Sequence, residues 1–152
     1  MVAAGKKNMI VCIVIDDRGG LMNKGRRLSQ DRELRKDILK EAGEHTLWMN
    51  TYSARQFEHP LAEQIRIDEN FLEKAGPGEY CFVENIHLID FIEKIEKIIL
   101  YKWNRTYPSD MQMDFHPSEM DLQLETSCDF AGVMHPKITK EVWGDKMLRY
   151  LP

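Results

Sequence analysis

The residues able to do chemistry in this chain fall at the ends of its apolar runs. Glu84 and Asn85 follow the run Tyr80–Val83, and Asn50, Thr51 and Ser53 follow another that ends at Met49. Between residues 19 and 28 a loop bearing Gly19, Gly20 and Gly25 carries the cations Lys24, Arg26 and Arg27. Hydroxyl and amide groups at a helix start can donate to a phosphate, and loop cations can neutralise one. N-capping accounts for Thr51 or Ser53 equally well, and a cationic glycine loop is also what a solvated surface loop looks like. Asp31 opens the first long helical pattern, three residues before Leu34 and seven before Ile38, which directs its carboxylate along the inward face. There it can hold a ligand; an acid in a first turn also complements the helix dipole.

Other chemistries lack their residues. The five histidines stand singly, no Cys or His pair has ligand spacing, and no metal site is expected. Neither a Gly-x-x-x-x-Gly-Lys-Ser/Thr loop nor a Gly-x-Ser-x-Gly elbow occurs. A formal charge of −4 gives no bulk electrostatic basis for nucleic-acid binding. Three cysteines at unrelated spacings read as reduced thiols, and no apolar run is long enough to span a membrane. A cytoplasmic protein with a small-molecule ligand is the expectation, and 152 residues fit one domain, residues 1 to 152.

The elements that must position these residues follow from periodicity. Met9–Ile15 is an unbroken β-branched run, as in a central strand covered on both faces. Ser29 is the expected cap of a helix over residues 31 to 42, with Leu34, Ile38 and Ala42 as its apolar stripe. Residues 45 to 49 read as a second strand, 54 to 57 as a short helix, 65 to 67 as a third strand and 69 to 75 as another short helix. Residues 78 to 104 read as a βαβ unit: strand Tyr80–Val83, a helix over 86 to 95 from the spacing of Ile86, Leu88, Ile89, Ile92 and Ile95, and a strand over 98 to 103. Its strands are parallel neighbours, and ligands of such sheets sit beyond the strands' carboxyl ends, where Glu84 and Asn85 fall. Alternation at Met111, Met113 and Phe115 and at Leu122 and Leu124 marks half-buried strands. Residues 130 to 132 make a break, residues 138 to 143 read as a closing antiparallel strand near an edge, and residues 144 to 152 as a loose tail.

This succession of elements resembles dihydrofolate reductase over nearly the whole chain. The resemblance implies an α/β three-layer sandwich with a mainly parallel central sheet and an antiparallel C-terminal edge. It places Asp31 where that family binds the pterin ring, as the catalytic carboxylate. It places Lys24, Arg26, Arg27, Asn50, Thr51, Ser53, Glu84 and Asn85 along the cofactor site. The family's Gly-Arg-x-Thr becomes Asn50-Thr51-Tyr52-Ser53, keeping only the last hydroxyl; its strand-borne threonine becomes Tyr101, and its lid tryptophan is missing. Its paired glycines, against which NADPH lies, become Glu84 and Asn85, within a one-residue gap. A side chain there fills space that bare backbone leaves open, so NADPH is expected to bind weakly or not in the family's manner. The expectation is a divergent member that binds a pterin- or nucleotide-like molecule; the alternative is an active NADPH-dependent reductase of a dihydrofolate- or pterin-like substrate. The stretches WNRxYPxD and HxKITxEV are also similar to bacterial sequences labelled ribonuclease Z, whose dinuclear zinc site needs a His-x-His-x-Asp-His cluster that this chain lacks.

Overall fold

The β-branched run at the amino end becomes the middle of the molecule. In the computed structural model, which describes residues 9 to 145, β1 (Met9–Ile15) pairs in parallel with β6 (Tyr80–Val83) on one side and β7 (Ile95–Lys102) on the other. Its residues alternate between two cores. Met9, Val11, Ile13 and Ile15 face one cluster, and Ile10 and Cys12 face the other. An unbroken apolar strand is what burial on both faces requires.

Beyond β6 the sheet continues in parallel through β4 (Leu47–Met49) to β5 (Ile65–Ile67). Beyond β7 it turns antiparallel through β10 (Ile138–Asp145) to β9 (Leu122–Phe130), giving the order β5-β4-β6-β1-β7-β10-β9. The closing strand, expected near an edge, lies one strand in from the edge strand β9, and β9 ends at Phe130, where the expected break over residues 130 to 132 begins. Of the expected loose tail, Gly144 and Asp145 belong to β10, and residues 146 to 152 lie outside the described residues.

Helix α1 (Arg32–Ala42) packs Leu34, Ile38 and Ala42 onto one face of the sheet, as its stripe requires. Its cap differs from the expectation. Asp31, not Ser29, is the N-cap: its backbone is extended and its carboxylate accepts the amide of Glu33. An Asp competes better for that position than for a helix interior, because its short carboxylate reaches its own backbone donors. Helix α2 (Thr51–Ala54) starts three residues earlier than expected, directly behind the Asn50 cap. On the other face lie α3 (Phe71–Lys74) and the β6 to β7 crossover.

That crossover is not the expected helix over residues 86 to 95. It is a 3-10 turn, Ile89–Lys94, and Ile95 already belongs to β7, paired with Met9. The isoleucine spacing mimicked a helical face, but Ile89 is 55% exposed and only Leu88 and Ile95 are buried. Pairing with β1 claims the end of the segment, and the Asp114 carboxylate accepts the amides of Leu88 and Ile89 at its start. Too few residues remain between these anchors for a multi-turn α-helix.

The glycine loop is likewise structured. β2 (Gly20–Asn23) and β3 (Arg26–Arg27) form a hairpin whose two turn residues, Lys24 and Gly25, both have positive φ (51° and 75°). This is the primed turn that matches strand twist. β8 (Met111–Gln112) pairs with β2, so the expected strand over 111 to 115 is short and belongs to a second sheet, ordered β3-β2-β8.

Candidate functional site

Parallel strands leave their carboxyl ends on one rim, and the residues just past those ends are polar: Asp16 after β1, Asn50 after β4 and Glu84 after β6. The strand order reverses around β1, since α1 carries the chain to β4 on one side and β7 lies on the other, which is where such sheets open a crevice. Two carboxylates stand near it: Glu84 in its lining, and Asp31 behind it, linked through His135 to the lining residue Ser29.

Glu84 is the first. Its Oε2 accepts Arg27 Nε at 3.0 Å, and its Oε1 accepts Arg27 Nη2 at 3.2 Å, Ser53 Oγ at 2.8 Å and Gln56 Nε2 at 3.0 Å. Only 9% of the Glu84 side chain and 19% of Arg27 remain exposed. Arg27 also lies over the Tyr52 ring, 4.3 Å from its centroid, and donates to the Tyr52 carbonyl. A two-pronged guanidinium and carboxylate pair is the strongest form of surface-to-core ion pair. It ties the β2/β3 hairpin to α2 and β6 across the mouth of the crevice. The remaining cavity, lined by Val14, Leu21, Leu28, Ser29, Phe82 and Trp103 among others, is about 10 Å³, room for about one water.

The other expected cofactor residues divide. Asn50 and Asn85 are joined, Asn50 Nδ2 donating to Asn85 Oδ1 at 2.9 Å, while Asn50 Oδ1 accepts the amide of Ser53. Thr51 is exposed, and its amide and hydroxyl both donate to Glu69 Oε2, so a carboxylate of the chain itself takes the donors at the α2 start. Lys24 and Arg26 are exposed on the hairpin and do not join the group. Arg27, Asn50, Ser53, Glu84 and Asn85 do. Tyr101 points to α1, donating to Asp37 Oδ2 at 2.6 Å; burial, then the Asp37 and Glu41 charges, push its hydroxyl far above the ordinary range.

Asp31 is the second carboxylate, with no exposed side-chain surface. Oδ1 accepts the amides of Glu33 and Val133, both at 2.9 Å; Oδ2 accepts the amide of Met134 at 3.0 Å and faces His135 Nδ1 at 2.9 Å. Gly132 makes this possible, because a Cβ there would run into the carboxylate. Shielding alone raises a carboxyl pKa. Burial does push Asp31 up, but the donors from His135, Val133, Met134 and Glu33 outweigh it and hold the group well below the usual carboxylate range.

His135, which sequence reasoning set aside with the other single histidines, is the residue it missed. It is 2% exposed, stacked on Trp103 with ring centroids 4.3 Å apart and planes 25° apart. Its Nε2 faces Ser29 Oγ at 2.9 Å and Tyr107 Oη at 3.1 Å. It lies 104 residues from Asp31, so no local spacing could have signalled the pair. Among the described residues no group of His, Cys, Asp and Glu side chains gathers as a metal site, and no helix is long and apolar enough to cross a membrane.

No family model matches the chain, and neither does any curated protein. Among solved structures, dihydrofolate reductase from Enterococcus faecalis, complexed with NADP(H) and RAB-propyl, aligns with a TM-score of 0.65 at 10% identity, covering 93% of this chain and 98% of that one. The chain has a dihydrofolate reductase-like fold. In this dihydrofolate reductase-like chain the crevice mouth is closed by Arg27 and Glu84. A separate groove of about 230 Å³ lies between α1 and residues 57 to 65. Leu39, Phe57, Pro60, Ala62 and Ile65 give it an apolar floor, and Arg32, Arg35, Lys36 and Glu58 a charged rim.

Proposed function

We propose that this dihydrofolate reductase-like chain is a cytoplasmic, single-domain protein that binds a pterin- or nucleotide-like small molecule without the hydride transfer that uses NADPH. The observation that carries the reading is the Arg27–Glu84 pair. It fills the position where the family's resemblance calls for bare glycine backbone, and with the cavity reduced to about 10 Å³ a nicotinamide has no room. The far end of the cofactor site disagrees as well, since Glu69 occupies the donors at the start of α2. The residues present therefore do not fit NADPH held in the family's manner. The groove beside α1 supports binding of a ligand with an apolar body and an anionic group, because its floor is apolar and three of its rim residues are cations.

A competing reading is an active NADPH-dependent reductase in which Asp31 acts on a dihydrofolate- or pterin-like ring and Lys24, Arg26 or Arg27 hold phosphates. The whole-chain likeness to a structure holding NADP(H) is the observation in its favour. Titration of the protein with NADPH, followed by tryptophan fluorescence, separates the two. Binding absent below millimolar concentration, and improved only modestly by Glu84→Gly with Asn85→Gly, agrees with the binding reading. Micromolar NADPH binding together with reduction of dihydrofolate by the unaltered protein replaces it with the reductase reading.

A further inference from the structure

We propose that Ser29, His135 and Asp31 form a nucleophilic serine site that hydrolyses small acyl esters, with Tyr107 donating to the oxyanion. This activity is independent of the binding reading. The geometry is that of a nucleophile, a base and an orienting acid: Ser29 Oγ to His135 Nε2 at 2.9 Å, and His135 Nδ1 to Asp31 Oδ2 at 2.9 Å. Such a relay is recognised by geometry and not by sequence position, and Ser29 needs no elbow motif to join it.

Each member is held for its role. Three backbone amides fix the Asp31 carboxylate, so it can accept only along the remaining direction, from His135 Nδ1–H. That bond places the proton on Nδ1 and turns the Nε2 lone pair toward the hydroxyls. The stack on Trp103 keeps the imidazole from rotating. Nε2 then has one lone pair and two hydroxyls within reach, Ser29 and Tyr107. A histidine buried only for structure is satisfied by one of them. With Ser29 donating to Nε2, the half-buried Tyr107 hydroxyl is a surplus donor beside the nucleophile. Ser29 is itself half-buried and lines the crevice wall.

The chemistry balances with water as the only co-reactant. Ser29 Oγ bonds to the ester carbonyl carbon, its proton passes to His135 Nε2, and the carbonyl pair moves to an oxyanion that Tyr107 Oη–H stabilises. The ester C–O bond breaks, the departing alkoxide takes the Nε2 proton, and acyl-Ser29 remains. Water attacks by the same path, releasing the carboxylic acid and free Ser29. Asp31 stays ionised and offsets the transient imidazolium as a positioning residue. Because the crevice closed by Arg27 and Glu84 has room for about one water, the ester must be small and must approach Ser29 from its exposed side.

The test uses the full chain with an alkyl fluorophosphonate and with p-nitrophenyl acetate. Expected are labelling of Ser29, located by peptide mass, and acetate release faster than in buffer alone. Ser29→Ala abolishes both. His135→Gln lowers the labelling rate by at least about a hundredfold in a chain whose circular dichroism is unchanged, and Tyr107→Phe lowers hydrolysis by about a hundredfold, the effect of losing one oxyanion donor, while Ser29 is still labelled. Absence of label on Ser29 in the folded protein overturns the proposal, as does label confined to another residue. Labelling that is equal in Ser29→Ala overturns it too.

Discussion

Glu84 lines the crevice and Asp31 lies behind it, and each accepts four hydrogen bonds, but they are held by different kinds of donor. Every donor to Glu84 is a side chain: the two prongs of Arg27, the Ser53 hydroxyl and the Gln56 amide. Three of the four at Asp31 are backbone amides, and the fourth is a ring pinned by stacking. Side chains can release a carboxylate by changing rotamer, whereas backbone amides release it only if a loop and a helix start come apart. Glu84 with Arg27 therefore acts as a latch on the hairpin, and Asp31 as part of the frame.

The largest effect follows from breaking the frame. Asp31→Ala strips the α1 cap and leaves the amides of Val133 and Met134 and the His135 ring without their acceptor. A loss of about 3 to 5 kcal/mol in urea denaturation is expected. Asp31→Asn keeps acceptor capacity on one oxygen and loses about half as much. The pH dependence has a fixed sign. The folded pKa of Asp31 lies below its ordinary value of 3.8, so the unfolded chain binds the proton first as pH falls. Its stabilisation is complete above about pH 5 and is lost progressively as pH drops through and below 3.8. Asp31→Asn should flatten this acid limb; an unchanged limb would show that the amides do not hold the charged form.

Breaking the latch should cost less. Arg27→Ala leaves Glu84 with Ser53 and Gln56 only, a nearly buried charge without a cation, and is expected to cost about 2 to 4 kcal/mol. Glu84→Gln in that background should recover part of the loss, because an amide has no charge to strand. A double-mutant cycle is expected to give a coupling of about 2 kcal/mol. Coupling near zero would mean that the pair is only a surface contact, and the contrast with Asp31 would then be one of burial alone.

The contrast also explains what the sequence could and could not convey. Central β1 and the α1 stripe were legible because burial on one or both faces writes itself as periodicity over neighbouring residues, and so was the parallel direction of β6 and β7, but these two are not the expected neighbours, since β1 lies between them. Glu84 and Asn85 were legible as polar residues just past a strand end. The 3-10 crossover was not, because isoleucines at helical spacing read the same whether Ile95 ends a helix or begins a strand. The hairpin reads as a loop although Asn23-Lys24-Gly25-Arg26 carries a turn signal, because glycines and cations cluster in solvated loops as well. The Asp31–His135 pair, 104 residues apart, exists only through the tertiary fold that brings residues 132 to 135 over the start of α1.

The smallest expected effect sharpens the latch itself. Lys24 occupies the first turn position of the hairpin with φ 51°, a left-handed conformation that disfavours a lysine but suits asparagine, and Asn-Gly is a favoured pair for such a turn. Lys24→Asn keeps the backbone amide that donates to Asp110 and should stabilise the hairpin by about 0.5 kcal/mol. If the hairpin is tied to the body chiefly through Arg27, this gain should appear in global stability only while the pair with Glu84 is intact. In an Arg27→Ala background the hairpin can open separately, and the Lys24→Asn gain should vanish from the urea midpoint while slowing amide exchange within β2 and β3. The same gain in both backgrounds would place the hold on the hairpin in the β2 to β8 pairing, and Arg27 would then be a plug in the crevice and not its latch.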